Sequence, residues 1–410
     1  MDETREDMAI LEATQMGHSP ERAEIVSLWT RDFVFLCLAN FCVFINVHLL
    51  LPTMPVYIVQ LGGDTKDVGI VMGIFTIAAT LMRPIGGMLL DRYDRKKILL
   101  AGLALTVAVA VIYHAATAIL LLLFIRLAHG ISFSIATTAT GTLASDLLPR
   151  SRLGEGMGYF GLTTSLSMAV APLIGLWLVG NAGFTALFNV AIIVAVIAIV
   201  VSIIPGYEQS KLSHCKIDKE EHHGSGFFEK KALKASFVMF FLAIVWGPII
   251  SFVALYAQEK GIANIGLFFT ANALVMLLSR PFAGRWSDKN GAYKIILAGI
   301  GFITVSTITI SFSVNLIGLL FAGVAYGLGF GFCLPSLQAL AVRDVSPYRR
   351  GAATGTFFAS LDLGIGIGTM LFGWIALYTS YQTMYLMAIL PVLLGGIVCV
   401  IAFSNKRIAN

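Results

Sequence analysis

The 410 residues are 57% hydrophobic and only 12% charged, about half the charged fraction of an ordinary water-soluble domain. No single soluble core buries that much apolar surface, and twelve stretches of the roughly 20 apolar residues needed to cross a bilayer run from near Asp32 to near Ser404. The net charge of +5 does not point to nucleic acid, because 23 of the 28 Lys and Arg fall in the tails and in loops after even-numbered spans, two (Lys66, Lys260) lie opposite and three (Arg83, Arg126, Arg280) sit at membrane depth.

Cationic loops resist translocation, so the rich side is expected to be cytoplasmic, with both termini inside. Residues 1–30 carry seven acids before Asp32 and no apolar run, the reverse of a secretory signal, and read as a cytoplasmic tail. Span 1 opens at Asp32, which is either solvated at the cytoplasmic mouth or a proton-handling group. It then carries Asn40, Asn46 and His48 and ends on Leu51-Pro52-Thr53-Met54-Pro55-Val56-Tyr57. Those polar side chains suit a central cavity or hydrogen bonds between helices.

The loop after span 2 reads Gly87-Met88-Leu89-Leu90-Asp91-Arg92-Tyr93-Asp94-Arg95-Lys96. Gly87 admits close helix approach, and Asp91 suits the positive N-terminus of a neighbouring helix, worth roughly 0.3–1 kcal/mol. Arg92 is expected to pair with Asp146 at the cytoplasmic end of span 4, giving a gate weak enough to release. The plainer alternative is a basic loop that only sets topology. Arg83 and its equivalent Arg280, each followed by Pro, read as structural groups near the interface.

Span 4 contains Arg126-Leu127-Ala128-His129-Gly130. An ionised Arg at that depth costs several kcal/mol unless paired or wet, so Arg126 is expected to face a cavity, with His129 on the same face one turn on. The alternative is an Arg tying span 4 to backbone carbonyls. Span 5 carries Gly161 and Ala171-Pro172-Leu173-Ile174-Gly175, where Pro bends the helix and small residues allow tight contact. Residues 206–234 read as a solvated linker, although His214, Cys215, His222 and His223 fall there. The five cysteines form no CxxC and read as fillers, with no metal site.

An offset of 197 residues brings the chain into register with itself. RPIGGMLLDRYDRKKILLAG from Arg83 then lies over RPFAGRWSDKNGAYKIILAG from Arg280 with nine identities in twenty. Gly130 falls on Gly327, Phe133 on Phe330, Gly154 on Gly351 and Gly158 on Gly355. Two parallel bundles of six follow, residues 31–205 and 235–404, with 405–410 as a second tail. The second bundle repeats the loop element at Gly284 and Asp288 and adds Asn272 and Gln338 as cavity candidates. Its one deep carboxylate, Asp362, lies about eleven residues into span 11, roughly 16 Å down. Asp362 is either a proton-coupling group or a structural partner between helices.

In these elements and their order the chain resembles the major facilitator superfamily. The loop is similar to that family's G-x-L-A-D-R-x-G-R-K signature, with Asp94 where the family prefers Gly; Asp tolerates left-handed backbone better than most residues. Arg126 to Gly130 resembles R-x-x-Q-G of proton-coupled members, with His129 in place of Gln, and Pro172 to Gly175 resembles the G-P-x-x-G element of antiporters. The paired prolines ending span 1 agree. The resemblance implies an all-α membrane protein of twelve transmembrane helices, and a proton-coupled exporter of small organic or amphiphilic compounds, as in multidrug or metabolite efflux, in the cell membrane. It makes Arg126 and His129 proton-coupling residues, beside the candidates Asp362 and Asp32 read from their positions; Gly87, Asp91, Arg92, Arg95, Asp146, Gly284 and Asp288 a cytoplasmic gate; and Gly161, Pro172 and Gly175 an antiporter helix. A proton-linked importer or facilitator of a sugar or siderophore-like metabolite is the alternative. No GxxxxGK[ST] motif is present, so ATP is not the expected energy source. His48 and His129 accompany no nucleophile motif, so no enzyme is expected. The expected partners are a small-molecule substrate and the bilayer, with the proton as coupling ion, no cofactor, and a monomeric chain.

Overall fold

The first helix begins where Thr30 caps it by accepting from the Phe33 N–H, and apolar helices follow one another to Phe403. The structure is a computed structural model and describes residues 28–148, 153–205, 229–345 and 350–403. Most of the expected linker, most of the N-terminal tail and the last residues lie outside that range, as do the side chains of Asp91, Arg280, Gly284 and Asp288.

In the first half, α1 (Arg31–Leu50) continues into α2 (Met54–Gln60), followed by α3 (Thr65–Arg92), α4 (Arg95–Ile112), α5 (Ile119–Leu147) and α6 (Leu153–Ile203). The second half comprises α7 (Leu233–Glu259), α8 (Gly266–Asn290), α9 (Ala292–Phe312), α10 (Leu316–Arg343), α11 (Arg350–Tyr378), α12 (Tyr381–Met387) and α13 (Ile389–Phe403). Their ends follow local chemistry. Asp64 and Asp67 form a reciprocal capping box at α3, satisfying donors that a helix start leaves free. The helix α7 starts at Leu233, after a short turn over Lys230–Ala232, two residues before the second bundle was expected to begin.

Ten helices among the described residues are long and apolar enough to cross a membrane. Two features separate that number from the twelve spans expected. The 51 residues of α6 would extend about 77 Å as one rod, more than twice a bilayer's apolar core, and the chain breaks at Gly183, where φ 75° and ψ 179° are non-helical. Only glycine adopts that backbone readily. The other feature is α8, whose apolar part, Gly266–Ser279, is shorter than the rest.

The 197-residue register holds in three dimensions. A β-carbon on Gly130 would lie 2.2 Å from the Phe75 carbonyl, and one on Gly327 would lie 2.5 Å from the carbonyl of Asn272, which is Phe75's counterpart. Gly102 abuts Ile135 and Ala136, and Gly299 abuts Phe332 and Cys333, again 197 residues on. In the first half α1 packs on α6 and α3 on α5; in the second, α7 packs on α11 and α8 on α10. Between halves the principal contacts are α3 with α11 and α6 with α8.

Candidate functional site

These two seams define where the halves meet and where they part. Along α3 and α11 the backbones touch near residues 65–73 and 366–373. A β-carbon on Gly69 would sit 2.9 Å from the Thr369 carbonyl, one on Gly73 2.9 Å from the Gly366 carbonyl, and one on Gly373 2.6 Å from the Thr65 carbonyl. Fourteen residues beyond Gly73 and within about 40° of the same helical face, Gly87 has open space where a side chain would be. Gly355, nearly in line with Gly366 on α11, is equally open, and so is its repeat counterpart Gly158 on α6. The halves are therefore closed at one end and parted at the other.

Asp362 lies between those two regimes. Its carboxylate accepts a 2.7 Å hydrogen bond from Arg83 Nε, across the seam and 279 residues away in sequence. Side-chain exposures of 13% for Asp362 and 31% for Arg83 put the pair at the closed end of the cleft, in reach of its mouth. This sharpens one expectation: Arg83, read as a structural group near the interface, joins the two halves through Asp362. Side chains on a helix lean toward its N-terminus, which carries the long Arg83 side chain back along α3, a direction that residue type alone does not reveal.

Arg126 does not face an open cavity. Its side chain is fully buried, with the guanidinium 4.3 Å from the Phe75 ring centroid and Nη2 3.8 Å from Met72 Sδ. His129 is buried beside it, its Nδ1 3.0 Å from the Tyr113 hydroxyl. The asparagines also serve the interior. Asn40 bonds to Thr163 and accepts from Thr140, joining α1, α5 and α6, while Asn46 donates to the Ala191 carbonyl. Both are 1% exposed, and Asn272 is buried too, so none of the three lines an open space. Burial follows because a polar side chain within a bundle gains most by satisfying a neighbouring helix.

His48 and Gln338 are half-buried, and His48 Nδ1 lies 3.0 Å from Ser167 Oγ. Beside His48 stands the Phe44 ring, the first of a set of aromatic residues in both halves. Phe133 contacts Phe44 and Phe75, and its repeat counterpart Phe330 contacts Trp246 and Tyr326. Trp246 reaches across to Met168 and Ala169 of α6. The 197-residue register already pairs Phe133 with Phe330, a signal that could have marked these clusters, of which Phe44, Phe133 and Trp246 are half-buried and Phe330 and Tyr326 fully buried.

The gate elements are only partly assembled as expected. Asp146 pairs with Arg95, while Arg92 ends α3 exposed. The chain turns away at Tyr93, whose backbone is extended, and Asp94 caps α4 through the Lys97 N–H. Arg95 therefore opens the helix that packs on α5 and reaches Asp146 first. Asp94 has φ −58°, so it does not use the left-handed backbone allowed for it, whereas its counterpart Gly291 has φ 84°. Asp32 is half-buried in the first turn of α1. On α6, a β-carbon on Gly175 would lie 2.6 Å from the Leu49 carbonyl, as at a tight-contact glycine, one on Gly161 would meet nothing within 4 Å, and Pro172 lies inside the helix.

The profile of the Major Facilitator Superfamily matches residues 36–263 and 235–409. The staphylopine export protein of Staphylococcus aureus is 26% identical over 85% of the chain and 89% of its own length. The multi-drug resistance efflux pump PmrA of Streptococcus pneumoniae is 25% identical over 76% of the chain and 81% of its own. Among solved structures, the nucleoside transporter NupG superposes with a TM-score of 0.69 at 15% identity, covering 93% of the chain and 100% of that structure.

Proposed function

Because the chain belongs to the major facilitator superfamily, we propose that it is a proton-coupled exporter of small organic or amphiphilic compounds, working by alternating access. The family makes it a membrane transporter of small molecules and not an enzyme. The observation that carries the finer reading is the Arg83–Asp362 pair at the apex of the cleft. Adding a proton to Asp362 removes its negative charge and weakens its hold on Arg83 across the seam, so the two halves can rock around a central site. Loss of the proton re-forms the pair. Charge movement and the reorientation of the halves thereby act on the same two side chains.

The open mouth lies on the side of Arg95, Lys96, Lys97, Lys230 and Lys231, which by the positive-inside rule is cytoplasmic. On this reading the protein is inward-open, with both termini inside the cell. Half-buried aromatic side chains from both halves, Phe44, Phe133 and Trp246, with Asp362 neutralised by Arg83, favour a neutral, zwitterionic or weakly amphiphilic cargo. Export is favoured over import by the names of the two relatives. A single chain contains both halves, so a monomer suffices.

Inverted membrane vesicles with an imposed pH gradient test this reading. A panel of amphiphilic dyes and metal-chelating zwitterions should include compounds that accumulate inside and dissipate the gradient. Accumulation indifferent to the gradient would remove proton coupling, and accumulation only in right-side-out vesicles would make the protein an importer.

A further inference from the structure

The cluster around Arg126 is separate from the coupling pair and chemically incomplete. Arg126 Nε and Nη1 have no hydrogen-bond partner, while Nη2 meets the Met72 sulfur and the guanidinium also interacts with the neutral Tyr113 hydroxyl. A thioether and a ring face attract a cation, but they do not supply the acceptors that five N–H groups call for. A guanidinium stays ionised, and a fully buried ion without a counter-charge is strongly disfavoured. Two described carboxylates that could answer it are engaged elsewhere, Asp146 with Arg95 and Asp362 with Arg83.

Two further donors converge there. Tyr113 and His129 both interact electrostatically with Arg126, and His129 Nε2 is buried with no partner. If Tyr113 donates to Nδ1, then Nε2 carries a free N–H. If Nδ1 donates to Tyr113, the phenol O–H is free instead. Either tautomer leaves one unspent donor beside the guanidinium. The second half has no equivalent, since the counterparts of Arg126 and His129 are Gly323 and Tyr326, so the fold itself does not require this cation.

We infer that Arg126 holds a small monovalent anion between α3 and α5, supplied either as a free halide or as the carboxylate end of an organic molecule. Tyr113 or His129 contributes a neutral donor to it. Full burial limits the occupant to a group of a few atoms. The inference does not depend on proton coupling at Asp362.

The purified full-length protein in lipid nanodiscs tests it. Its Tm is followed while sodium chloride or sodium acetate replaces sodium methanesulfonate at constant ionic strength. A ligand that binds only the folded state raises Tm saturably, and a rise of a few degrees is expected. Response to chloride alone identifies a halide site, and response to acetate alone or to both identifies a site open to carboxylates. Arg126→Gln should abolish the response and Arg95→Gln should leave it unchanged. Should Arg126→Gln fail to fold, whichever of Tyr113→Phe and His129→Phe removes the free donor is expected to weaken the apparent affinity by about tenfold, the loss of one neutral donor. Absence of any response in the wild type, an undiminished response in Arg126→Gln, or an undiminished response in both Tyr113→Phe and His129→Phe overturns the inference.

Discussion

The two seams between the halves follow the same path with different chemistry. On α3 and α11 the approach is made by Gly69, Gly73, Gly366 and Gly373, whose repeat counterparts on α8 and α6 are Gly266, Thr270, Ala169 and Leu176. The first seam is backbone against backbone, capped at one end by Lys66 lying 4.9 Å over the Trp374 ring and at the other by Arg83 and Asp362. The second is filled by side chains and pinned where Thr270 donates to the Ala169 carbonyl at 3.0 Å. The counterpart of Asp362 is Ser165, so the ion pair exists on one seam only. A duplicated fold has thus kept its geometry and placed its titratable link on one side.

The sharpest way to break this comparison is to fill the glycine seam. Gly373→Val would drive a side chain into the Thr65 carbonyl; overpacking of this kind costs about 1–3 kcal/mol, and the initial transport rate in vesicles should fall more than about tenfold. Leu176→Val at the equivalent place should change that rate less than about twofold. Next in size is the ion pair. Asp362→Asn should end gradient-driven accumulation, and a double-mutant cycle with Arg83→Gln in thermal unfolding should give a coupling on the order of 1–2 kcal/mol. Additive losses would show that the pair does not link the halves. Thr270→Val removes one hydrogen bond, about 1 kcal/mol, and should raise amide hydrogen exchange near Ala169 while sparing Gly73. The smallest effect belongs to Lys66→Met, which loses a cation–π contact of about 0.5–1 kcal/mol and should alter only the reorientation rate seen by site-specific fluorescence.

Much of this is legible in the sequence. The register that pairs Gly130 with Gly327 described real neighbours, because a glycine at a helix crossing leaves the same imprint in both copies. The depth of Asp362 along α11 was also legible, since helical rise is constant. Its partner was not: Arg83 looked like an interface residue because counting along α3 gives the height of its Cα and ignores the reach of a long side chain directed back toward the N-terminus. Asn40 and Asn46 looked like cavity residues for a related reason, as a polar atom in an apolar helix faces either a cavity or a neighbour, and periodicity treats both alike. Arg95 displaced Arg92 as the partner of Asp146 because a single extended residue, Tyr93, redirects the chain.

The sequence by itself determined the membrane-spanning helices, their division into two copies and the loop elements that join them, because a bilayer constrains hydropathy and backbone bonding segment by segment. The tertiary structure alone decided which charges meet. Pairing across 279 residues depends on how each helix is rotated and where the halves cross, and no periodicity within one helix encodes either.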